Sequence, residues 1–190
     1  MTDSDSKPLR ADAHRNRQHL LEVARRSFSS AGGKVTLEAI AREAGVGIGT
    51  LYRHFPTREA LVEAVYRAEL SGLCGSTGEL LASRSPDRAL RDWMDRFADY
   101  VATKREMADA LRAVIASGAV TSSQARHDLS AAVRILLDAG AADGTLREDV
   151  HAEDVVAALV GIFLACGRPE DRDQAGRMLD LLLDGLRYGR

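Results

Sequence analysis

The residues with most to offer chemically lie between positions 36 and 58. Arg53 can donate a bidentate pair of hydrogen bonds to guanine, Thr50 can bond a base edge or a phosphate, and Ile48 can meet a thymine methyl. Gly49 lies among them without a side chain, and Tyr52 and His54 are better suited to clamping phosphates than to reading bases. Thr36 and Arg58 stand at two expected helix starts, where backbone N–H groups, a hydroxyl and a guanidinium together favour a phosphate. This is chemistry for gripping duplex DNA. The same spacing also describes a helical hairpin with a solvated polar face, and spacing alone leaves both readings open.

Catalytic chemistry has no comparable start. Gly45-Val46-Gly47-Ile48-Gly49 is glycine-rich, but it follows a helix rather than a strand and lacks the Gly-Lys-Ser/Thr of a phosphate-binding loop. No Gly-x-Ser-x-Gly elbow occurs. His151-Ala152-Glu153 imitates a deaminase signature without the Pro-Cys-x-x-Cys that would bind zinc, and Glu148 with His151 makes one Glu-x-x-His where a di-iron bundle needs two. His151 is more simply the cap of a helix. No catalytic residue, cofactor or metal site is expected. Cys74 and Cys166 form no metal-spaced pair and read as reduced thiols in apolar helical stretches.

The elements that must position the polar residues are helices. Leu20, Leu21, Ala24 and Phe28 recur at helical spacing from about Ala11, and Gly32-Gly33 stops the pattern. Thr36 is an N-cap for a short second helix carrying Leu37, Ile40, Ala41 and Ala44 on its apolar side, and Gly45 supplies the turn. A third short helix runs to about His54, because Pro56 restricts Phe55. Small Ala41 and Ala44 allow close approach, with Ile40, Val46 and Leu51 between the two helices. A short helix, a glycine turn and a second helix polar on one side form the helix-turn-helix pattern, whose second helix can enter the major groove.

Thr57 caps a fourth helix that fades through Gly72 to Gly78, and Ser85-Pro86-Asp87 restarts the chain as a fifth. Further apolar runs follow, punctuated by Gly118 and Gly140, and the last two helices run from about Ala152 to Cys166 and to near Tyr188. No segment of useful length alternates with period two, and there is no internal repeat. The expected architecture is all-α, about nine helices: a disordered arm over 1–10, a helix-turn-helix DNA-binding domain over 11–56, and a ligand-binding and dimerisation domain over 57–190.

The run Gly45 to Leu61, GVGIGTLYRHFPTREAL, closely resembles the tetracycline-repressor (TetR) family of bacterial regulators. Gly45-Val46, Gly49-Thr50-Leu51-Tyr52, His54-Phe55 and Thr57-Arg58-Glu59 carry the likeness, which is specific over about Asn16 to Leu70. Gly47 departs from it, since the family often has a capping serine or threonine there; glycine still caps but gives no hydroxyl to a phosphate. The resemblance implies a homodimer on a near-palindromic operator, released when a small molecule binds the C-terminal domain.

In that domain the last two helices offer Val156, Leu159, Val160 and Phe163, then Leu179, Leu182, Leu183 and Leu186, for a four-helix dimer interface or for the subunit core alone. Trp93, Met94, Phe97, Tyr100, Met107, Leu111 and Ile115 are expected to line a cavity for an apolar or aromatic effector, with Arg112, Arg126 or His127 as a polar anchor.

Composition sets the limits. The net charge is −2, yet residues 1–60 hold ten Lys/Arg against seven Asp/Glu, and the remaining 130 hold sixteen against twenty-one. A mildly basic head on an acidic body suits a DNA-contacting module joined to one that avoids DNA. No signal peptide or spanning stretch is evident, so a cytoplasmic protein without a membrane partner is expected. The alternative is a helical ligand-binding or adaptor protein that does not bind DNA.

Overall fold

A computed structural model describes residues 6–31 and 35–187, and among them the regular structure is ten α-helices and one 3-10 turn. The chain divides into two compact units, residues 1–68 with 102–120, and residues 69–101 with 121–190.

In the first unit, α1 (Ser6–Ala31) is already formed at Ser6, ahead of the expected start near Ala11. The rest of the expected arm, residues 1–5, and the expected stop at Gly32 and Gly33 lie outside the described residues. Leu20, Leu21, Ala24 and Phe28 are buried, as their spacing requires. Two short helices follow, α2 (Leu37–Glu43) and α3 (Ile48–His54), and then α4 (Arg58–Gly75), whose first turn is capped by the Thr57 hydroxyl accepting from the Ala60 N–H. The α4 helix does not fade at Gly72: it runs to Gly75 and breaks at Ser76, whose hydroxyl donates to the Leu73 carbonyl. One further helix, α5 (Thr77–Ser83), which belongs to the second unit, occupies the stretch read as a glycine-rich fade, because Thr77 and Leu80 find a buried face.

In α6 (Pro86–Glu106) the side chains of Leu90, Trp93, Met94 and Phe97 are buried on one face. The Trp93 indole donates to the Leu73 carbonyl at 3.1 Å, stacks on Phe97 at 5.9 Å, and Phe97 meets Phe163 at 5.8 Å. A buried indole needs such an acceptor. Helix α7 (Ala108–Ala116) belongs to the first unit and ends at Gly118, which has φ +76°.

Helix α8 (Ser122–Asp143) runs straight through Gly140 and stops at Gly144. Gly140 therefore does not punctuate a helix. A Cβ there would sit 2.8 Å from the Cβ of buried Leu146, so only hydrogen fits. Helices α9 (Ala152–Ala165) and α10 (Arg172–Leu186) complete the second unit, joined through a 3-10 turn at Pro169–Asp171. Tyr188 lies outside the described residues. Helix α9 packs on both α8 and α10. Asp87 and Arg187 pair at 2.8 Å; burial pushes the Asp87 carboxyl up, but hydrogen bonds from Ser85 and Arg187 outweigh it and hold the group below its ordinary range.

Candidate nucleic-acid interface

Local chemistry builds the hairpin. The Thr36 hydroxyl accepts from the Ala39 N–H at 3.2 Å, fixing the start of α2. Its end is a Schellman closure: the Val46 N–H reaches the Ala41 carbonyl at 3.0 Å and the Gly45 N–H reaches that of Arg42 at 3.1 Å. That closure puts Gly45 at φ +68°, a left-handed angle a side chain resists. Helix α3 then starts at Gly47 with no side-chain cap. Ile40, Ala41 and Leu51 are buried between the helices, as expected, while Val46 is half-buried. Ser27 on α1 donates to Glu43 at 2.8 Å, which ties α2 to the long helix behind it.

With Leu51 turned inward, α3 exposes Ile48, Gly49, Tyr52 and Arg53, and leaves Thr50 and His54 half-buried. Tyr52 is 43% exposed, a large ring with no place in this subunit's core. Arg53 lies along the helix, its Nε donating to the Gly49 carbonyl at 3.3 Å and its Nη2 to the Thr50 hydroxyl at 2.9 Å. Both bonds are exposed, so a base edge can replace them at little cost. The structure thus brings Ile48, Gly49, Thr50, Tyr52 and Arg53 onto one short helix. Exposed Thr36 stands at the start of α2, its hydroxyl already engaged in the cap.

Arg58 is placed differently from expectation. Its guanidinium lies 5.3 Å over the Phe28 ring and donates to the Val35 carbonyl, joining α1, the segment before α2 and the start of α4. A side chain so engaged holds the unit together before it holds a phosphate. Replacing Arg58 with Ala is expected to lower the unfolding free energy by about 1–3 kcal/mol, from the lost stacking and charge-assisted hydrogen bond. Chemical denaturation checks this; stability equal to the native protein would return Arg58 to a purely DNA-facing role.

Sequence reading missed Arg17. It stacks at 5.0 Å over Phe55, the residue ending α3, and among the described residues its N–H edges meet no acceptor. Nothing in local spacing links positions 17 and 55; only the packing of α1 does.

The effector-lining expectation meets two situations. Trp93, Met94, Phe97 and Tyr100 belong to the second unit and are buried in its core. Met107 and Leu111 are buried in the first unit. Ile115 does not join them: it is 41% exposed, because the inward stripe of α7 runs through Leu111 and Val114 and leaves Ile115 on the flank. The suggested anchors Arg112, Arg126 and His127 are exposed, and Arg112 is paired with Asp109.

The dimer expectation needs correcting. Val156, Leu159, Phe163, Leu179, Leu183 and Leu186 are buried within the single chain, so they cannot also cover a partner. Leu182 is half-buried. On α9 and α10 the large apolar side chains left facing out are Val160, Leu164 at 81% and Leu181 at 72% exposure, with exposed Ala157 and Gly161 also on α9.

Cys166 is buried and Cys74 half-buried, and both are free. Burial and then the charge of Asp128 push the Cys74 thiol up to about 11, which keeps it protonated and unreactive. Among the described residues no cluster of His, Cys, Asp and Glu could hold a metal ion, and no helix is long and apolar enough to cross a membrane.

Residues 20–65 match the family described as bacterial regulatory proteins, tetR family, and residues 85–188 match the transcriptional regulator SbtR-like C-terminal domain. The TetR transcriptional regulator SCO0520 from Streptomyces coelicolor is 53% identical with a TM-score of 0.84, covering 92% of this chain and 99% of that one. A TetR transcription regulatory protein from Mycobacterium vanbaalenii is 35% identical with a TM-score of 0.74, over 95% and 100% of the two chains. The HTH-type transcriptional repressor KstR2 of Rhodococcus jostii is 28% identical over 193 residues, 90% of each chain.

Proposed function

Because the chain belongs to the tetR family of bacterial regulatory proteins and is a DNA-binding transcriptional regulator, we propose that it acts in the cytoplasm as a homodimeric repressor of a near-palindromic operator. In this reading two copies of α3 enter successive major grooves, about 34–36 Å apart. Arg53, Thr50 and Ile48 read base edges and a thymine methyl. Tyr52, His54, Thr36 and the stacked Arg17 take phosphates, with Gly49 allowing the helix to approach the groove closely. The observation that carries the reading is the orientation of α3, with Leu51 in the core and Tyr52 and Arg53 in solvent.

The partner in the dimer is a second copy, joined through the outer faces of α9 and α10. Two features support this. Val160, Leu164 and Leu181 are large apolar side chains left in solvent by the subunit. Gly161 lies mid-helix, where glycine costs about 1 kcal/mol relative to alanine, yet a Cβ there would meet nothing within 4 Å. Its own chain gives no reason for a glycine; close approach of another helix does. An apolar or aromatic effector taken up by the C-terminal domain changes the spacing of the two α3 helices and releases DNA.

Selection of bound sequences from random duplex tests the reading. The expected product is a palindrome with half-sites about one helical turn apart and an affinity that falls steeply with salt. Recovery of no consensus, together with salt-independent behaviour, would leave a helical adaptor instead.

A further inference from the structure

Lys104 is half-buried near the end of α6, within the first unit. Its Nζ stands 5.8 Å over the ring of Tyr66, a buried residue of α4. Among the described residues it has no carboxylate partner and no hydrogen-bond acceptor. Burial pushes its ammonium below the ordinary lysine range. Buried Met107 stands three residues on, at the break between α6 and α7, and buried Leu111 lies on α7 in the same unit. An ammonium partly withdrawn from water without a counter-ion favours an anion that can approach it, and the ring face returns only part of what hydration supplied. The neighbouring Arg105 is exposed and engaged elsewhere.

We infer that Lys104 is the anion-binding end of the effector site, so that the effector is an amphiphile with an acid group, carboxylate or sulfonate, on an apolar or aromatic body. The acid takes the Lys104 ammonium in a charge-assisted hydrogen bond, while the Tyr66 ring and the flexible Met107 side chain receive the first part of the body. This deepens the proposed function and rests on the reading that a small molecule binds among these helices. It differs from the earlier expectation in placing the polar anchor at Lys104 rather than at Arg112, Arg126 or His127, all of which are exposed.

Two fluorescent probes that differ by a single acid group make the test. The full-length protein is titrated with 1-anilinonaphthalene-8-sulfonate and with neutral N-phenyl-1-naphthylamine, and each probe's effect on operator affinity is recorded. The sulfonate is expected to bind about ten- to a hundred-fold more tightly than its neutral twin. Lys104→Met should remove that preference while leaving the neutral probe and the fold unchanged, and it should not lower the melting temperature, since a merely solvated lysine stem contributes packing but an unpaired ammonium opposes burial. Arg112→Gln should change neither probe. Equal binding of both probes, or a sulfonate preference that survives Lys104→Met, overturns the assignment of Lys104 and leaves the effector site standing. Uptake of neither probe, with operator affinity unmoved, overturns both.

Discussion

A variant carrying Leu164→Glu and Leu181→Glu is expected to be a folded monomer that has lost about 10²–10⁴-fold in operator affinity. Both leucines are almost wholly in solvent in the single subunit, at 81% and 72% exposure, so the core loses nothing when they change. In a dimer built on α9 and α10 they are covered, and each fully buried leucine contributes about 1.5–3 kcal/mol. The new acids also stand on helices already exposing Asp180 and Asp184 on α10 and Glu153 and Asp154 on α9, so the altered faces repel. Light scattering reads the mass and circular dichroism the fold. DNA affinity falls because two half-sites are no longer held by one molecule. A helical dimer that persists in this variant moves the interface off these faces. An unfolded variant would contradict the burial pattern itself. Leu182, half-buried in the subunit, is the poorer place for such a charge, because damage to the core and to the interface would be confounded there.

The second large effect belongs to Arg53. Arg53→Ala should cost about 1–3 kcal/mol at each half-site and therefore about 2–6 kcal/mol for the dimer, concentrated at the base pairs its guanidinium reads. The side chain is exposed and, among the described residues, bonds only to Gly49 and Thr50 of its own helix, so its loss leaves the hairpin core of Ile40, Ala41 and Leu51 untouched. Affinity measured across a set of single-base operator variants separates the possibilities. Loss confined to one or two positions is the expected result, and an equal loss on every sequence would make Arg53 a phosphate contact. Tyr52→Ala supplies the contrast: it should weaken operator and random duplex alike, because a phosphate carries no sequence information. Arg17→Gln should reduce the slope of log affinity against log salt by about 1 for each subunit.

Local order in this protein was written in the sequence. The Thr36 cap, the left-handed Gly45, the break at Phe55 before Pro56 and the cap at Thr57 each depend on neighbours within five residues, and each stands where spacing put it. Cap chemistry and backbone sterics act at that range, so no fold has to be known first. The outward set on α3 follows from the same logic, since burying Leu51 fixes where Tyr52 and Arg53 must point.

What lay beyond sequence were the choices that depend on distant residues. Helix α9 is apolar on nearly every side from Val155 to Ala165, so its pattern cannot say which face looks inward. Only packing against α8 and α10 assigned Leu159 and Phe163 to the core and Leu164 to the surface. Gly140 reads as a break until Leu146 is seen lying against it. Arg58 reads as a phosphate clamp until Phe28 and Val35 take its guanidinium, and Lys104 has no distinguishing mark until Tyr66 sits beneath it. Periodicity records how apolar a face is, whereas burial depends on what the rest of the chain brings to it. The sequence by itself therefore determined the hairpin and its DNA-facing helix, and the tertiary structure decided which side chains remain for a partner or a ligand.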